Sequence, residues 1–191
     1  MSNLRPMKHR LTLVVALVLV AAGVSACGGK TLPANEAESE GQYFTVGDLK
    51  YQVQISRQIN PTDLEDKEYL SGIGAADLKL NPDQTFFGVF MRVENKTGNP
   101  LNSAGEFVIT DTQGNAFHPV PLTNPFAYRV ESITPNGGTE PNTVEPAHYA
   151  PTQGKLLLFK LPNTSLDNRP LRMEVKAATG KYRTGAVTLD V

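Results

Sequence analysis

The chain has 191 residues, with 18 basic and 19 acidic side chains, a formal net charge of −1, one cysteine and no tryptophan. This balance excludes the strongly basic surface that nucleic-acid-binding proteins place against phosphates, and a lone cysteine excludes an intrachain disulfide. The length suffices for one domain with a hydrophobic core.

The first predicted element is an export signal at the N-terminus. Arg5, Lys8 and Arg10 precede an apolar run at 11–22, and small residues follow it. This order is typical of a secretory signal peptide. The alternative is an uncleaved membrane anchor at 11–29, although that uncharged run is at the short end for a bilayer span. Without residues 1–26, fifteen basic and nineteen acidic residues remain, a formal charge of −4.

Residues 24–27, Val-Ser-Ala-Cys, resemble the lipobox of bacterial lipoproteins. In that family a diacylglyceryl group is attached to the cysteine sulfur, and cleavage makes this cysteine the first residue. The resemblance implies that Cys27 is acylated and holds the mature protein on the extracytoplasmic face of the cell membrane, with the lipid bilayer as partner. Two acyl chains give stable anchoring where one does not. The alternative is that Cys27 is an ordinary apolar residue of a simple signal peptide.

The mature chain begins with a polar segment and continues as a series of strands. Residues 27–41 hold the cysteine and an acidic stretch that predicts a flexible tether. From residue 42 onward, short runs of β-branched and aromatic residues alternate with turn residues, which indicates β-strands. The predicted strands span 43–46, 51–56, 86–95, 107–110, 116–119, 156–161, 171–176 and 186–191.

Two of these strands carry the clearest burial patterns. In the strand at 86–95, Phe87, Val89, Met91 and Val93 alternate with other residues and form one continuous apolar face, which we expect to lie in the core. The run at 156–161 is apolar almost throughout, which favours a central strand buried on both sides.

The segment 60–70 departs from the strand pattern and predicts a short helix. Asn60 is suited to cap it, Pro61 suits the first helical position, and Gly72 ends it. Short strands separated by turns, with one inserted helix, predict an all-β fold, an antiparallel β-sandwich. A closed barrel is the alternative architecture.

A family resemblance follows from the order of three motifs. A Tyr-x-Val-x-Ile strand precedes Phe-Phe-Gly-Val-Phe-Met-Arg-Val-Glu-Asn-Lys-Thr-Gly and then Phe-Val-Ile-Thr-Asp-Thr-Gln-Gly-Asn-Ala-Phe. This order resembles the DUF4352-type immunoglobulin-like domains of Gram-positive and actinobacterial secreted lipoproteins, which are similar to the mycobacterial immunoprotective antigen fold. The resemblance covers residues 42–177, departs at 60–82 and 124–150, and implies an immunoglobulin-like sandwich at 42–191. It implies no catalytic residues.

Reactive constellations are sparse in the mature chain. His118 and His148 have no closely spaced partner ligand, as a metal site would require. A Gly-x-Ser-x-Gly motif and a phosphate-binding glycine loop are both missing from the sequence. The sequence therefore predicts a protein that is not an enzyme and holds no cofactor. A metal carrier or enzyme that uses His118 and His148 is the alternative.

The loop at 119–129 is the predicted binding segment. It combines three prolines with Phe126, Tyr128 and Arg129, and long sandwich loops and such side chains often form interfaces. The alternative is that Phe126 and Tyr128 plug one end of the sandwich. We expect an interaction module of the cell envelope that binds an envelope protein, a wall polymer or a small molecule, and no nucleic acid. A purely structural envelope component is the other option.

Overall fold

β-Strands dominate residues 32–189, the part of the chain that the computed structural model describes. The predicted signal peptide, lipobox and acylated Cys27 lie outside these residues. The described strands are β1 (Glu36–Ala37), β2 (Tyr43–Val46), β3 (Leu49–Ile59), β4 (Gln84–Asn95), β5 (Leu101–Asn102), β6 (Glu106–Thr110), β7 (Ala116–Phe117), β8 (Ser132–Ile133), β9 (Gly138–Glu140), β10 (Lys155–Pro162), β11 (Leu171–Lys176) and β12 (Thr184–Leu189). The described helices are α1 (Leu64–Tyr69), α2 (Pro146–Tyr149) and α3 (Asn163–Asp167). Within 32–189, no helix is both long enough and apolar enough to cross a membrane.

Two sheets that share one apolar core confirm the predicted antiparallel β-sandwich. The first sheet has the strand order β1-β12-β11-β6-β7, and the second has the order β10-β4-β3-β2. Strand β9 also pairs with β4, opposite residues 93–95, whereas β10 lies opposite residues 84–91. Strands β5 and β8 form a small separate pair. The parallel pairing of β1 with β12 is the exception to the antiparallel pattern of the two sheets.

The predicted inner face of β4 is confirmed. Phe87, Val89, Met91 and Val93 are each fully buried and belong to the main core. The first sheet supplies the facing side chains, which include Ile109, Met173, Val175 and Val187. The alternating pattern of β4 therefore decided which of its faces meets the other sheet.

The sequence predicted a buried central strand at 156–161. Strand β10 is indeed buried, but it lies at the edge of its sheet. The 119–129 loop covers that edge. The Tyr128 amide donates to the Leu156 carbonyl over 2.9 Å, and the Leu156 amide donates to the Phe126 carbonyl over 2.7 Å. These bonds satisfy the backbone groups that an edge strand otherwise exposes. An unbroken apolar run is stable at this edge because the loop shields it from water.

The predicted inserted helix is present as α1, but it begins later than expected, and two further short helices accompany it. Asp63 caps α1, since its carboxylate accepts the amides of Glu65 and Asp66. The side chain of Asn60, the predicted cap, instead accepts the amide of Thr62 over 3.0 Å in a turn that precedes the helix. Both residue types are good caps, so sequence alone did not separate them.

Part of the predicted tether belongs to the sandwich. Glu36 and Ala37 form β1 beside Ala186 and Val187 of β12, and the side chain of Ala37 is buried. The Ala186 amide also donates to the Asn35 carbonyl over 2.9 Å. Polar composition suggested a free segment, but pairing needs only backbone groups. The sandwich therefore begins before residue 42.

Candidate functional site

The outer face of the second sheet carries a second apolar core, which we call the outer cluster. Its buried members are Ile59, Tyr69, Leu70, Phe86, Phe90, Leu156 and Leu158. Phe86 and Phe90 lie on the face of β4 that points away from the main core. A sheet face of this kind needs cover, because large apolar side chains on it would otherwise meet water. Helix α1 and the 119–129 loop provide that cover.

Edge-on contacts between aromatic side chains connect the sheet, the helix and the loop. The Tyr69 ring meets the Phe90 ring edge-on, with centroids 5.1 Å apart. Tyr69 also meets Phe126, with ring centroids 5.0 Å apart and again edge-on. Such pairs add about 0.5–1.5 kcal/mol beyond the area that they bury. Phe126 is therefore held through α1 to the sheet.

An ion pair fixes α1 on the sheet. The guanidinium of Arg57, on β3, donates to both carboxylate oxygens of Asp66 over 2.6 and 3.1 Å, and the Asn60 amide donates to the same carboxylate over 2.7 Å. Burial acts to raise the pKa of Asp66, but the hydrogen bonds and charge of Arg57 and the Asn60 amide outweigh it, so the pKa lies below its usual value. Asp66 is thus ionised and anchors the helix near neutral pH.

Asn124 connects the 119–129 loop to the end of α1. Its buried side-chain amide donates to the carbonyls of Tyr69 over 2.7 Å and Ser71 over 3.0 Å. The Thr123 hydroxyl donates to the Gly72 carbonyl over 2.9 Å. The loop is therefore rigidly attached, which lowers the ordering cost of any ligand that binds against it.

A second rigid attachment holds α2. The chain leaves β9 at Glu140, runs through residues 141–154, which we call the α2 excursion, and returns as β10 at Lys155. The Lys155 ammonium forms an ion pair with Glu140 over 2.9 Å and a second one with Glu145 of the excursion. Lys155 and Glu140 expose only 4% of their side chains. This charge cluster closes the neck of the excursion.

Burial and charge act in opposite directions at this neck. Burial raises the pKa of Glu140 above its usual value, because Lys155 compensates only part of the desolvation. For the more exposed Glu145, burial also acts to raise the pKa, but the hydrogen bonds from Lys155 and the Asn142 amide and the charge of Lys155 together outweigh it, so the pKa is lowered. Burial acts to lower the pKa of Lys155, but the hydrogen bonds and charges of its two carboxylate partners outweigh burial, so the pKa is raised. The three groups therefore depend on one another for their charge.

Between the two helices lies a cavity of about 350 Å³, which we call the α1–α2 groove. Its lining residues are Leu64, Glu65, Glu68, Tyr69, Phe126, Pro146, Tyr149, Ala150 and Pro151. Leu64 is 81% exposed and Tyr149 is 72% exposed, so large apolar side chains stand in water at its rim. Glu65 and Glu68 are also exposed and form no ion pair with any residue of 32–189.

The three residues predicted to bind do not form one surface. Phe126 lines the α1–α2 groove. Tyr128 packs toward the main core, edge-on to Phe107 at 4.8 Å, and its hydroxyl donates to the Ala104 carbonyl over 2.9 Å. Burial raises the pKa of Tyr128 well above its usual value. Arg129 is exposed and donates to the Thr123 carbonyl over 3.0 Å. Tyr128 thus packs against the main core, which the alternative had predicted for Phe126 and Tyr128 together, whereas Phe126 packs against the outer cluster.

Tyr128 and Arg129 also border a second cavity, of about 310 Å³, between the loop and strands β6 and β10. Its walls include Pro119, Pro121 and Val130. Arg129 is engaged with its own loop at this place, and Tyr128 with the core. The α1–α2 groove differs from this cavity in having two carboxylates in its lining, Glu65 and Glu68, that form no ion pair within residues 32–189.

His118 and His148 border different cavities. His118 lies exposed after β7, beside Glu106 and Lys176. His148 lies on α2, where its ring meets that of Tyr149 edge-on at 4.7 Å. Within residues 32–189, no group of three or more His, Cys, Asp or Glu side chains is close enough to hold a metal ion.

Sequence reasoning missed most of the α1–α2 groove. Its walls come from segments about eighty positions apart, and the sequence pointed to no binding residue in the predicted helix at 60–70. One signal was available: Phe86 and Phe90 make the second face of β4 apolar too, which requires a covering segment. The insertion at 60–82 was the natural candidate for that cover.

The chain is similar to known proteins in structure but not in sequence. No protein-family model matches the chain, and no curated protein matches it in sequence. The yjhA protein from Bacillus subtilis is similar in structure, with 10% sequence identity and a TM-score of 0.47, over 80% of this chain and 99% of that one. An uncharacterized beta-sandwich protein from Clostridium difficile 630 has 10% identity and a TM-score of 0.41, over 85% of this chain and 100% of that one.

Proposed function

We propose that this chain is a bacterial lipoprotein of the DUF4352-like type, anchored on the extracytoplasmic face of the cell membrane through acylated Cys27. Its sandwich is a binding module that catalyses no reaction. The sequence at 1–27 supports the anchor. The observation that supports the binding role is the α1–α2 groove, which presents exposed apolar side chains on rigidly attached segments.

The proposed partner is an envelope protein that inserts an apolar or aromatic side chain flanked by a lysine or arginine. A cavity of about 350 Å³ accommodates one or two such side chains. Its aromatic floor, formed by Tyr69 and Phe126, is already fixed by packing. The carboxylates of Glu65 and Glu68, which form no ion pair within residues 32–189, complement a cationic neighbour. Aromatic side chains also line the grooves of several peptide-binding domains.

The binding role is tested with matched peptides and the full chain in detergent. We expect fluorescein-labelled peptides with a central Phe flanked by Arg to bind, as measured by fluorescence anisotropy, and the same peptides flanked by Glu to bind at least tenfold more weakly. Tyr149→Ser should lower the affinity about tenfold or more. Val144→Ser is the control, because Val144 is 86% exposed but lies outside the groove.

Two results would contradict the groove as the binding surface. One is equal affinity for the Arg-flanked and Glu-flanked peptides, and the other is equal loss in the Tyr149→Ser and Val144→Ser variants. If no peptide binds and the variants keep normal envelope function, a purely structural role is the better explanation.

The anchor is tested separately by metabolic labelling. A radiolabelled fatty acid should enter the wild-type protein and not the Cys27→Ala variant, which should also leave the membrane fraction. Equal labelling of both proteins would contradict lipid attachment at Cys27 and leave the groove hypothesis intact.

A further inference from the structure

Among residues 32–189, Arg92 is a cation without a partner on the outer face of the second sheet. It lies on β4 next to the outer cluster, and its side chain is half-buried. Its Nε is buried and meets no hydrogen-bond acceptor, and the guanidinium forms no ion pair with any residue of 32–189. An unpaired buried guanidinium nitrogen is costly, because it has lost water without replacement. Such a group indicates that a ligand accepts the hydrogen bond of the Nε and balances the charge of the guanidinium.

The surrounding strands explain why Arg92 is accessible there. Lys155 of β10 pairs with Met91, and Glu140 of β9 pairs with Val93, so Arg92 lies at the gap between the two partner strands. The α2 excursion leaves and returns at this gap. Its two ends leave a recess over Arg92 that neither strand fills.

The chain returns tightly to β4 beside this recess because of one glycine. Gly154 has a φ of +116°, and a side-chain carbon there would lie 2.9 Å from the Met91 amide nitrogen. Gly154 therefore brings the backbone against β4 and forms one wall of the recess. The wall is backbone, so it cannot swing away as a side chain would.

The recess is a small cavity, of about 10 Å³, with no acidic residue in its lining. That is room for about one water-sized group, with an open outer side. The lining residues are Gln54, Arg92, Pro141, His148, Gln153 and Gly154. All side chains here are therefore neutral or cationic.

The charged groups nearby are already engaged elsewhere. Glu140 and Glu145 both pair with Lys155, and Glu94 pairs with Lys96 over 3.3 Å. Two nearby glutamines also have hydrogen-bond partners, since the Gln54 amide donates to Gln52 and the Gln52 amide donates to the Gly41 carbonyl.

We propose that this recess is a binding site for a carboxylate, with Arg92 as its principal ligand. The site offers one uncompensated guanidinium, whose net charge matches a monoanion better than a dianion. Its planar fork matches the two oxygens of a carboxylate. The cavity has room for about one oxygen beside the buried Nε, and the second carboxylate oxygen and the rest of the ligand lie at its open side. The site borders α2 on the side of His148 and is independent of the proposed α1–α2 groove.

A carboxylate in this position has two chemical sources, a small organic acid or the C-terminus of a peptide. The test uses the ¹⁵N-labelled full chain in detergent and follows the Arg92 Nε–Hε resonance by NMR. The titrants are acetate, N-acetylalanine, the uncharged N-acetylalaninamide, and chloride at matched ionic strength. We expect acetate and N-acetylalanine to shift the resonance saturably, and the amide and chloride to leave it unchanged. Clearly tighter binding of N-acetylalanine indicates a peptide C-terminus, and equal binding indicates a small acid.

Variants separate binding from nonspecific charge effects. In Arg92→Met, the saturable shifts of the Gly154 amide and the Gln54 side-chain amide should disappear. In Arg92→Lys, which keeps the charge and loses the fork, the affinity should fall about tenfold. Arg172→Met, which removes an exposed arginine of the other sheet, should bind like the wild type. The proposal is overturned if chloride shifts the Arg92 resonance as acetate does, if no carboxylate shifts it, or if Arg92→Met binds normally.

Discussion

Replacing Lys155 by methionine removes the cation that two carboxylates share at the neck of the α2 excursion. Methionine keeps most of the side-chain volume, so the change is chiefly one of charge. In the wild type, the ammonium lies 2.9 Å from Glu140, and both side chains are 4% exposed. Glu145, the second partner, is 21% exposed and can be hydrated once it is released.

The size of the expected loss follows from this burial. Removing one partner of a buried ion pair costs about 3–5 kcal/mol, because the other charge stays desolvated. Glu140 meets this condition and Glu145 does not, so we expect about 3–5 kcal/mol from Glu140 and little from Glu145. That is a large share of the 5–15 kcal/mol by which domains are typically stable.

Urea denaturation of the full chain at pH 7 measures this loss. Arg172→Met is the matched control, since the Arg172–Glu36 pair is 49% and 37% exposed and should contribute about 1 kcal/mol or less. The double variant Lys155→Met/Glu140→Leu should recover most of the stability, because it leaves no buried charge unpaired. Hydrogen exchange should accelerate at the Ala150 amide, which bonds to Pro146 within the excursion.

The loss should also depend on pH, with a sign that follows from Glu140. Burial already raises the pKa of this carboxyl, and without Lys155 the pKa rises further. A carboxyl with a raised pKa in the folded state stabilises the fold below its unfolded pKa, about 4.3, and this contribution disappears as the pH rises through the folded pKa. The deficit of Lys155→Met should therefore be full at pH 7 and shrink towards pH 4. A loss no larger than that of Arg172→Met, or one that does not change with pH, would refute the account of this neck.

Three further predictions concern the outer cluster, the return to β10 and the acid stability of the sandwich. Phe90→Ala should lower the free energy of unfolding in urea by about 3–5 kcal/mol, because Phe90 is fully buried; a loss below 1 kcal/mol would contradict a second core on this face. Gly154→Ala should lower the free energy of unfolding more than Gly114→Ala in the same assay, since both glycines have positive φ but only Gly154 lies against backbone atoms. Equal losses would mean that the positive φ alone explains the effect and would contradict a close approach to β4. Asp111 has a pKa lowered to about 2, because hydrogen bonds, chiefly from Asn115, outweigh the opposing effect of burial. Its contribution to stability is present above about pH 4 and is lost towards pH 2. In Asp111→Asn, stability monitored by circular dichroism should therefore depend less on pH between those values, and an unchanged pH dependence would count against this role.

Much of the sandwich could be predicted from local patterns. The alternation at 87–93 identified the inner face of β4, because a strand places successive side chains on opposite faces. The turn after Val46 was also predictable, and Val46 pairs with Leu49 across it. The helical insertion was predictable in type, but its start was not, since Asn60 and Asp63 are both good caps and the fold chose between them.

The sequence by itself determined that this chain forms strands with an apolar core and that a second apolar face exists on β4. Only the tertiary structure decided what covers that face, which strand lies at the sheet edge, and which charges meet. Glu140, Glu145 and Lys155 come together because β9 and β10 share one neighbour, β4. At the gap between them, Arg92 has no partner among residues 32–189. These outcomes depend on contacts between distant segments, and no local pattern of residues encodes them.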